Sequence, residues 1–268
     1  MAIVAQHSTL FISHGSPMLA LDAGSAGAAW RRMAAETPTP SAIVMASAHW
    51  ESEVPTLTAA ATLATIHDFG GFPAELYRLQ YPAVGAPQLA QRIAALLQAE
   101  GFAAQLDPQR GLDHGAWVPL REMYPDAAIP VLQLSLQPQL GPAHHYRIGR
   151  ALAPLAQDNV LVIGTGSITH NLRDGMLAMR GDTNALAYVP EFQQWVYDAL
   201  EADQLDTLLD YRSVSRWGRR SHPTEEHFLP LFVALGAAGL HPQIEREYDS
   251  IDGGMIGMDA YRFTARAA

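Results

Sequence analysis

Val160-Leu-Val-Ile-Gly164, five residues rich in Val, Leu and Ile, reads as a strand buried in a parallel sheet. Two further runs read the same way, Thr9-Leu-Phe-Ile-Ser13 and Ala42-Ile-Val-Met-Ala-Ser-Ala48. Each of the three ends at or shortly before a histidine: His170, His14 and His49 respectively. In open α/β sheets the ligand site lies outside the carboxyl ends of the strands. Three imidazoles delivered to that edge point to a metal, because neutral imidazole suits Zn, Fe, Cu and Ni. A fourth candidate, His227, closes the segment His222-Pro-Thr-Glu-Glu-His227.

Outward from these strands the pattern alternates. An Ala-rich helix is expected over Ser25 to Glu36 and a strand over Thr56 to Ile66, leading to His67. Pro87 to Glu100 has helical periodicity with Gly101 as its stop. Ile129 to Leu136 reads as a strand and Ala143 to Ala156 as a helix. Asn184 to Asp210 reads as one or two helices, with Pro190 able to start a new one. Thr224 is placed to cap a short helix that carries His227 and stops at Gly236, with Pro230 imposing a kink or a late start. Ile244 to Phe263 reads as a β-hairpin around Asp252-Gly-Gly254. The expected fold is therefore α/β: a single domain over residues 1–268, a central mostly parallel sheet flanked by helices, and a metal site at the carboxyl ends of the strands.

Composition narrows the chemistry. The chain has 268 residues, 49% of them hydrophobic, and no linker, repeat or low-complexity segment divides it. A net charge of −10 argues against a nucleic-acid partner. No run approaches the roughly 20 apolar residues that span a bilayer, and the first residues lack a secretory pattern, so no membrane and a cytoplasmic location are expected. Cysteine is absent, which removes thiolate catalysis, disulfides and Cys-ligated metal. All 17 basic side chains are arginine, so Schiff-base chemistry and a phosphate-loop lysine are absent too, and Gly164-Thr-Gly-Ser167 is no Walker A turn.

Taken singly, His14 and His49 are better read as hydrogen-bonded strand-end residues, and His170 can be read as helix-start packing. Their recurrence at one topological position favours a shared site. On a helix, Glu226 would point about 100° and Glu225 about 200° away from His227, so only one of the three would face the site. His67 lies in a loop with two glycines and two aromatics, and His114 in Gly111-Leu-Asp-His-Gly-Ala-Trp117; both suit substrate contact or support of ligands from behind. His144 and His145 read as helix-surface residues, Met255 and Met258 as packing, and His7 and His241 have no supporting context.

Together, His14-Gly-Ser-Pro-Met18, Ser47-Ala-His-Trp50, His67-Asp-Phe-Gly-Gly-Phe-Pro73, Gly111-Leu-Asp-His-Gly-Ala-Trp117, His170-Asn-Leu172 and His222-Pro-Thr-Glu-Glu-His227 resemble the class III extradiol ring-cleavage dioxygenases (the LigB-like superfamily), in the 4,5-DOPA extradiol dioxygenase branch. The similarity runs over nearly the whole chain in the expected order. It implies a non-heme metal enzyme that opens catechol rings with O₂, its partners being a small catechol and O₂, as a monomer or small homo-oligomer. His14, His49 and His227 match the metal ligands of that branch. His170 matches a general acid/base or a fourth ligand, and His67 and His114 match pocket residues. The better-known branch has a carboxylate as third ligand where this chain has His227. Fe(II) is implied for the reaction, and an all-imidazole site also takes Zn²⁺ readily. The competing readings are a zinc hydrolase and a non-catalytic metal-binding protein on the same scaffold. A Ser-His-Asp hydrolase is disfavoured by the lack of a Gly-x-Ser-x-Gly elbow.

Overall fold

The computed structural model describes residues 8–182 and 186–266. Eight strands form one sheet: β1 (Ser8–Ser13), β2 (Ala42–Glu51), β3 (Thr56–Thr58), β4 (Gln105–Asp107), β5 (Val131–Leu136), β6 (Val160–Gly166), β7 (Gln243–Tyr248) and β8 (Ala260–Thr264). Their spatial order is β4-β3-β5-β2-β6-β1-β8-β7. The central strands β5, β2, β6 and β1 are mutually parallel, and antiparallel pairings flank them at β3–β5 and along β1–β8–β7. The longer helices are α1 (Gly24–Glu36), α2 (Pro87–Ala99), α3 (His114–Met123), α4 (Gly141–Leu152), α5 (Leu172–Met179), α6 (Tyr188–Glu201) and α7 (Leu229–Ala237).

Side-chain alternation explains why the central strands read as continuous apolar runs. Val44, Ala46 and Val162 face one core, shared with α2, α4, α6 and α7; Ile43, Met45, Leu161 and Ile163 face the other, shared with α1 and α3. Both faces are covered, so the few polar residues along these strands before the carboxyl edge, such as Thr9 and Gln133, are hydrogen-bonded in the interior. Each fully buried Leu, Ile or Val contributes on the order of 1.5–3 kcal/mol, before chain entropy is subtracted.

The expected α/β architecture is present, with local differences. The stretch from Thr56 is not one strand: Thr56–Thr58 joins the main sheet, and Thr62–Leu63 pairs with Ala83–Val84 in a separate ribbon before His67. The helix expected over Ala143 to Ala156 turns 3-10 from Ala153, where Pro154 removes an N–H from the ladder. The helix expected from Asn184 onwards begins at Tyr188, with Asn184 itself outside the described residues; Pro190 sits in its first turn, and a second short helix, Leu205–Leu209, follows. The tail is a hairpin as expected, closed over Gly253 and Gly254 at φ 55° and 75°.

Two expectations are corrected. His227 is not carried on a helix, because α7 starts only at Leu229 with Pro230 in its first turn, and His227 lies in the preceding turn. Thr224 caps nothing there; its hydroxyl donates to Glu226 Oε1. His145 is not a surface residue but fully buried, its Nδ1 donating to Gly141 O and its Nε2 accepting from Gln137 N–H. Met258 packs in the core as expected, and His7 lies outside the described residues. Among the described residues no helix is long and apolar enough to cross a membrane.

Candidate metal centre

His14 follows the last residue of β1, and its N–H donates to Gly166 O at the end of β6, which anchors the backbone at the sheet edge. Gly15 turns the chain at φ 63°, and Ser16 caps the Pro17–Ala20 turn. His49 lies near the end of β2, within a stretch where the register against β5 shifts between Ala46 and Glu51. Such irregularities re-aim side chains beside active sites. His114 opens α3, where Asp113 is the N-cap. The buried Asp113 carboxylate also accepts from Ser47 and Gln133, binding the helix start to β2 and β5, and burial pushes its pKa up. His170 precedes α5, whose N-cap is Asn171.

These segments bring five histidines together. His14 Nε2 lies 3.0 Å from His49 Nε2. The His114 ring centroid is 3.9 Å from that of His49 and 5.4 Å from that of His14. The His227 centroid is 4.9 Å from His49 and 5.6 Å from His14, and His170 stacks parallel on His227 at 3.4 Å. Two donor groups emerge, His14–His49–His114 and His170–Glu226–His227, each with ligand atoms within 4.8 Å of one another. Glu226 joins the site because the segment is a turn: its Oε1 accepts from His227 Nδ1 at 2.9 Å while His227 still faces His14 and His49. The helical expectation that neighbours must point apart therefore does not apply.

His67 lies outside both groups. Its Nε2 donates to Leu79 O at 3.0 Å, and its ring packs among Phe69, Tyr77 and Trp117. Phe69 in turn meets the His114 ring at 5.6 Å, so this aromatic loop borders the histidine cluster.

The protonation chemistry follows from burial. Burial first, and neighbouring imidazoles second, hold His14 and His227 well below the usual histidine pKa. The same causes bring His49 down to about 3, against the opposing pull of Asp68. Burial lowers His170 too. Neutral imidazoles with available lone pairs are what a metal requires.

The tautomer of His14 can be derived. Pro119, inside α3, has no N–H to give the carbonyl of Gly115 four residues back. The Thr165 hydroxyl donates to that carbonyl at 2.7 Å, so its oxygen is left to accept from His14 Nδ1 at 3.0 Å. His14 Nε2 is then bare, beside His49 Nε2. Two nitrogens bound at right angles to one ion, each at roughly 2.1 Å, lie about 3 Å apart, so the donor set fits a metal. Thr165 and Asp68 were not singled out from the sequence, although each sits inside or next to a quoted motif; Glu226 was weighed only as an alternative to His227, not as its companion.

Residues 8–258 match the family model described as the catalytic LigB subunit of aromatic ring-opening dioxygenase. The chain belongs to this family. Among its LigB-family relatives, the 4,5-DOPA dioxygenase extradiol of Beta vulgaris is 42% identical over 262 residues, covering 96% of each chain. The Escherichia coli K12 protein of the same name is 38% identical over 256 residues, covering 93% of this chain and 92% of the relative. The crystal structure of uncharacterized protein JW3007 from Escherichia coli K12 superposes with a TM-score of 0.79 at 32% identity, over 96% of this chain and 99% of that one. This LigB-family chain is thus an aromatic ring-opening dioxygenase on a mostly parallel α/β sheet.

Proposed function

We propose that the whole chain, as one catalytic domain, opens the ring of a catechol by extradiol cleavage with O₂, on a DOPA-like or related catechol. The observation that carries this reading is the convergence of neutral imidazoles, His14 and His49 with Nε2 atoms 3.0 Å apart, at the strand ends of a LigB-family fold. His14, His49 and His227 are the proposed metal ligands. His114 is the competing third donor by distance, its Nδ1 held by Asp68 as His227 Nδ1 is held by Glu226; the family motif, not the geometry, favours His227. Fe(II) is the proposed catalytic ion, with Zn²⁺ able to occupy the same nitrogens in purified protein. When bound, the ion supplies positive charge that lowers the pKa of the catechol hydroxyls and a template for O₂.

His170 is the proposed general acid/base. Its lowered pKa leaves it neutral and able to accept a phenolic proton near neutral pH, then return it to the departing oxygen. Stacking on His227 fixes its plane. His67 and His114 are proposed to face the substrate, with the aromatic loop of Phe69, Phe72 and Tyr77 excluding water from one side.

The test is anaerobic loading with Fe(II), followed by oxygen-electrode and absorbance traces with a panel of catechols that includes DOPA and protocatechuate. Oxygen uptake with a yellow ring-opened product is expected. No uptake from a verified Fe(II)-loaded sample overturns the reading, and ester or amide hydrolysis by the Zn²⁺ form would then point to a hydrolase. His170→Gln is expected to lower turnover by about 10²–10⁴-fold with metal content unchanged. His227→Ala is expected to lose metal, whereas His114→Ala should keep it; the reverse result would exchange their roles.

A further inference from the structure

Asp68 stands between the aromatic loop and the histidines. Its Oδ1 accepts the backbone N–H of His114 at 2.8 Å, and its Oδ2 accepts from His114 Nδ1 at 2.9 Å. The same Oδ2 lies 3.7 Å from His49 Nδ1. Both carboxylate oxygens are thus committed to one residue, with a second histidine alongside. The clamped N–H belongs to the first residue of α3, where a negative charge also meets the positive end of the helix. The next residue, Phe69, packs edge-on against the same His114 ring, 85° to its plane.

Chemistry dictates what such a clamp does. A carboxylate can only accept, so the facing ring nitrogen must carry the proton. A neutral His114 then has its lone pair on Nε2, on a ring 3.9 Å from His49. We propose that Asp68 is a positioning residue for the ring-opening reaction. It fixes His114 as the Nδ1–H tautomer, so that Nε2 can accept a hydrogen bond from a substrate hydroxyl, and it locks the aromatic loop to the histidine cluster. This rests on the reading above that His114 faces the substrate. The logic is that of a histidine oriented by a carboxylate, where an Asp-to-Asn change preserves shape and installs the wrong tautomer.

Asp68→Asn is the decisive variant. The amide oxygen can keep the backbone N–H of His114, but the amide nitrogen then faces Nδ1 as a donor and drives the ring proton to Nε2. The expected result is a fall in kcat of about 10²-fold or more, with KM changed by less than about 3-fold and metal content and unfolding midpoint retained. Asp68→Glu, which restores an acceptor, should recover part of the loss. The second readout needs no turnover. Histidine-selective ¹⁵N spectra of the metal-free chain, with the His114 signal identified by its disappearance in His114→Gln, should show the proton on Nδ1 in the wild type and on Nε2 in Asp68→Asn. A wild-type His114 protonated on Nε2, or an Asp68→Asn enzyme with full kcat, overturns the inference. A wild type that consumes no O₂ with any catechol defeats the functional reading instead, and the tautomer spectra still decide whether Asp68 orients His114.

Discussion

Pro119 has no N–H to give Gly115 O, the Thr165 hydroxyl takes that carbonyl, and the oxygen of Thr165 is thereby turned towards His14 Nδ1. Three residues from two elements thus settle the tautomer of one candidate ligand. Thr165→Val keeps the shape of the side chain and removes both hydrogen bonds. It should lower metal affinity by about 10–100-fold, the range found when a partner behind a metal-binding histidine is lost. Chelator competition would measure it, and an unchanged affinity would show that His14 needs no such support. Stability should fall by about 1–3 kcal/mol, since the carbonyl of the buried Gly115 loses this donor. None of this was legible at the level of single residues. Thr165 lies in Gly164-Thr-Gly-Ser167, a segment at the end of β6 whose glycines draw attention to phosphates, and its part depends on a proline in a distant helix. His14, His49 and His170 were legible for the opposite reason. Each is placed by its own strand, and the end of a doubly buried strand is visible as a change from apolar to polar residues.

At the scale of elements, the site depends on how closely α7 and the turn before it approach β6. A Cβ at Gly164 would collide with Pro230 O and one at Gly166 with His227 O, so glycine at both positions is what lets the turn carrying His227 lie on the strand. Ser167 N–H seals the contact by donating to His227 O at 2.8 Å. Gly166→Ala should therefore do two things. It should destabilise the fold by about 1–3 kcal/mol, the usual cost of overpacking, and it should displace His227. Gly164→Ala should cost similar stability while disturbing the metal less, because it presses on α7 rather than on the ligand turn. Urea midpoints paired with bound-metal stoichiometry would separate the two effects; equal metal loss in both variants would mean that general destabilisation is responsible. The strands β1, β2, β5 and β6 were readable as apolar runs, α1 from its alanines and α2 from its periodicity, whereas the short edge strand Gln105–Asp107 was not read at all. The His227 segment was not, because Pro230 permits either a kinked helix or a late start, and only packing against Gly166 decides for the late start. That choice also decides whether Glu226 can share the site with His227.

For the molecule as a whole, the buried histidines make stability a function of pH. His145 is the clearest case because it stands apart from the metal centre. It bridges the start of α4 to the end of β5, donating to Gly141 O at 2.7 Å and accepting from Gln137 N–H at 3.0 Å. Burial, the largest cause, brings its pKa from 6.5 down to about 4, against the opposing hydrogen bond to Gly141 and with a small further push from His144. The unfolded chain therefore binds a proton at this residue near pH 6.5 that the folded chain refuses until about pH 4. Its contribution is fully present above the unfolded value and is lost as the pH falls through that window, amounting to about 3 kcal/mol in all. In the His145→Gln variant, the slope of unfolding free energy against pH should be shallower than in the wild type by up to about 1.4 kcal/mol per pH unit between those two values. The variant will also be weaker at neutral pH, since one amide cannot reproduce both hydrogen bonds, so the slope rather than the absolute stability is the deciding quantity. Parallel curves for the two proteins would show that His145 titrates alike in both states. The sequence reading put both His144 and His145 on the helix surface; which of them is buried follows from how α4 lies on the sheet, and the 0% exposure of His145 fixes it.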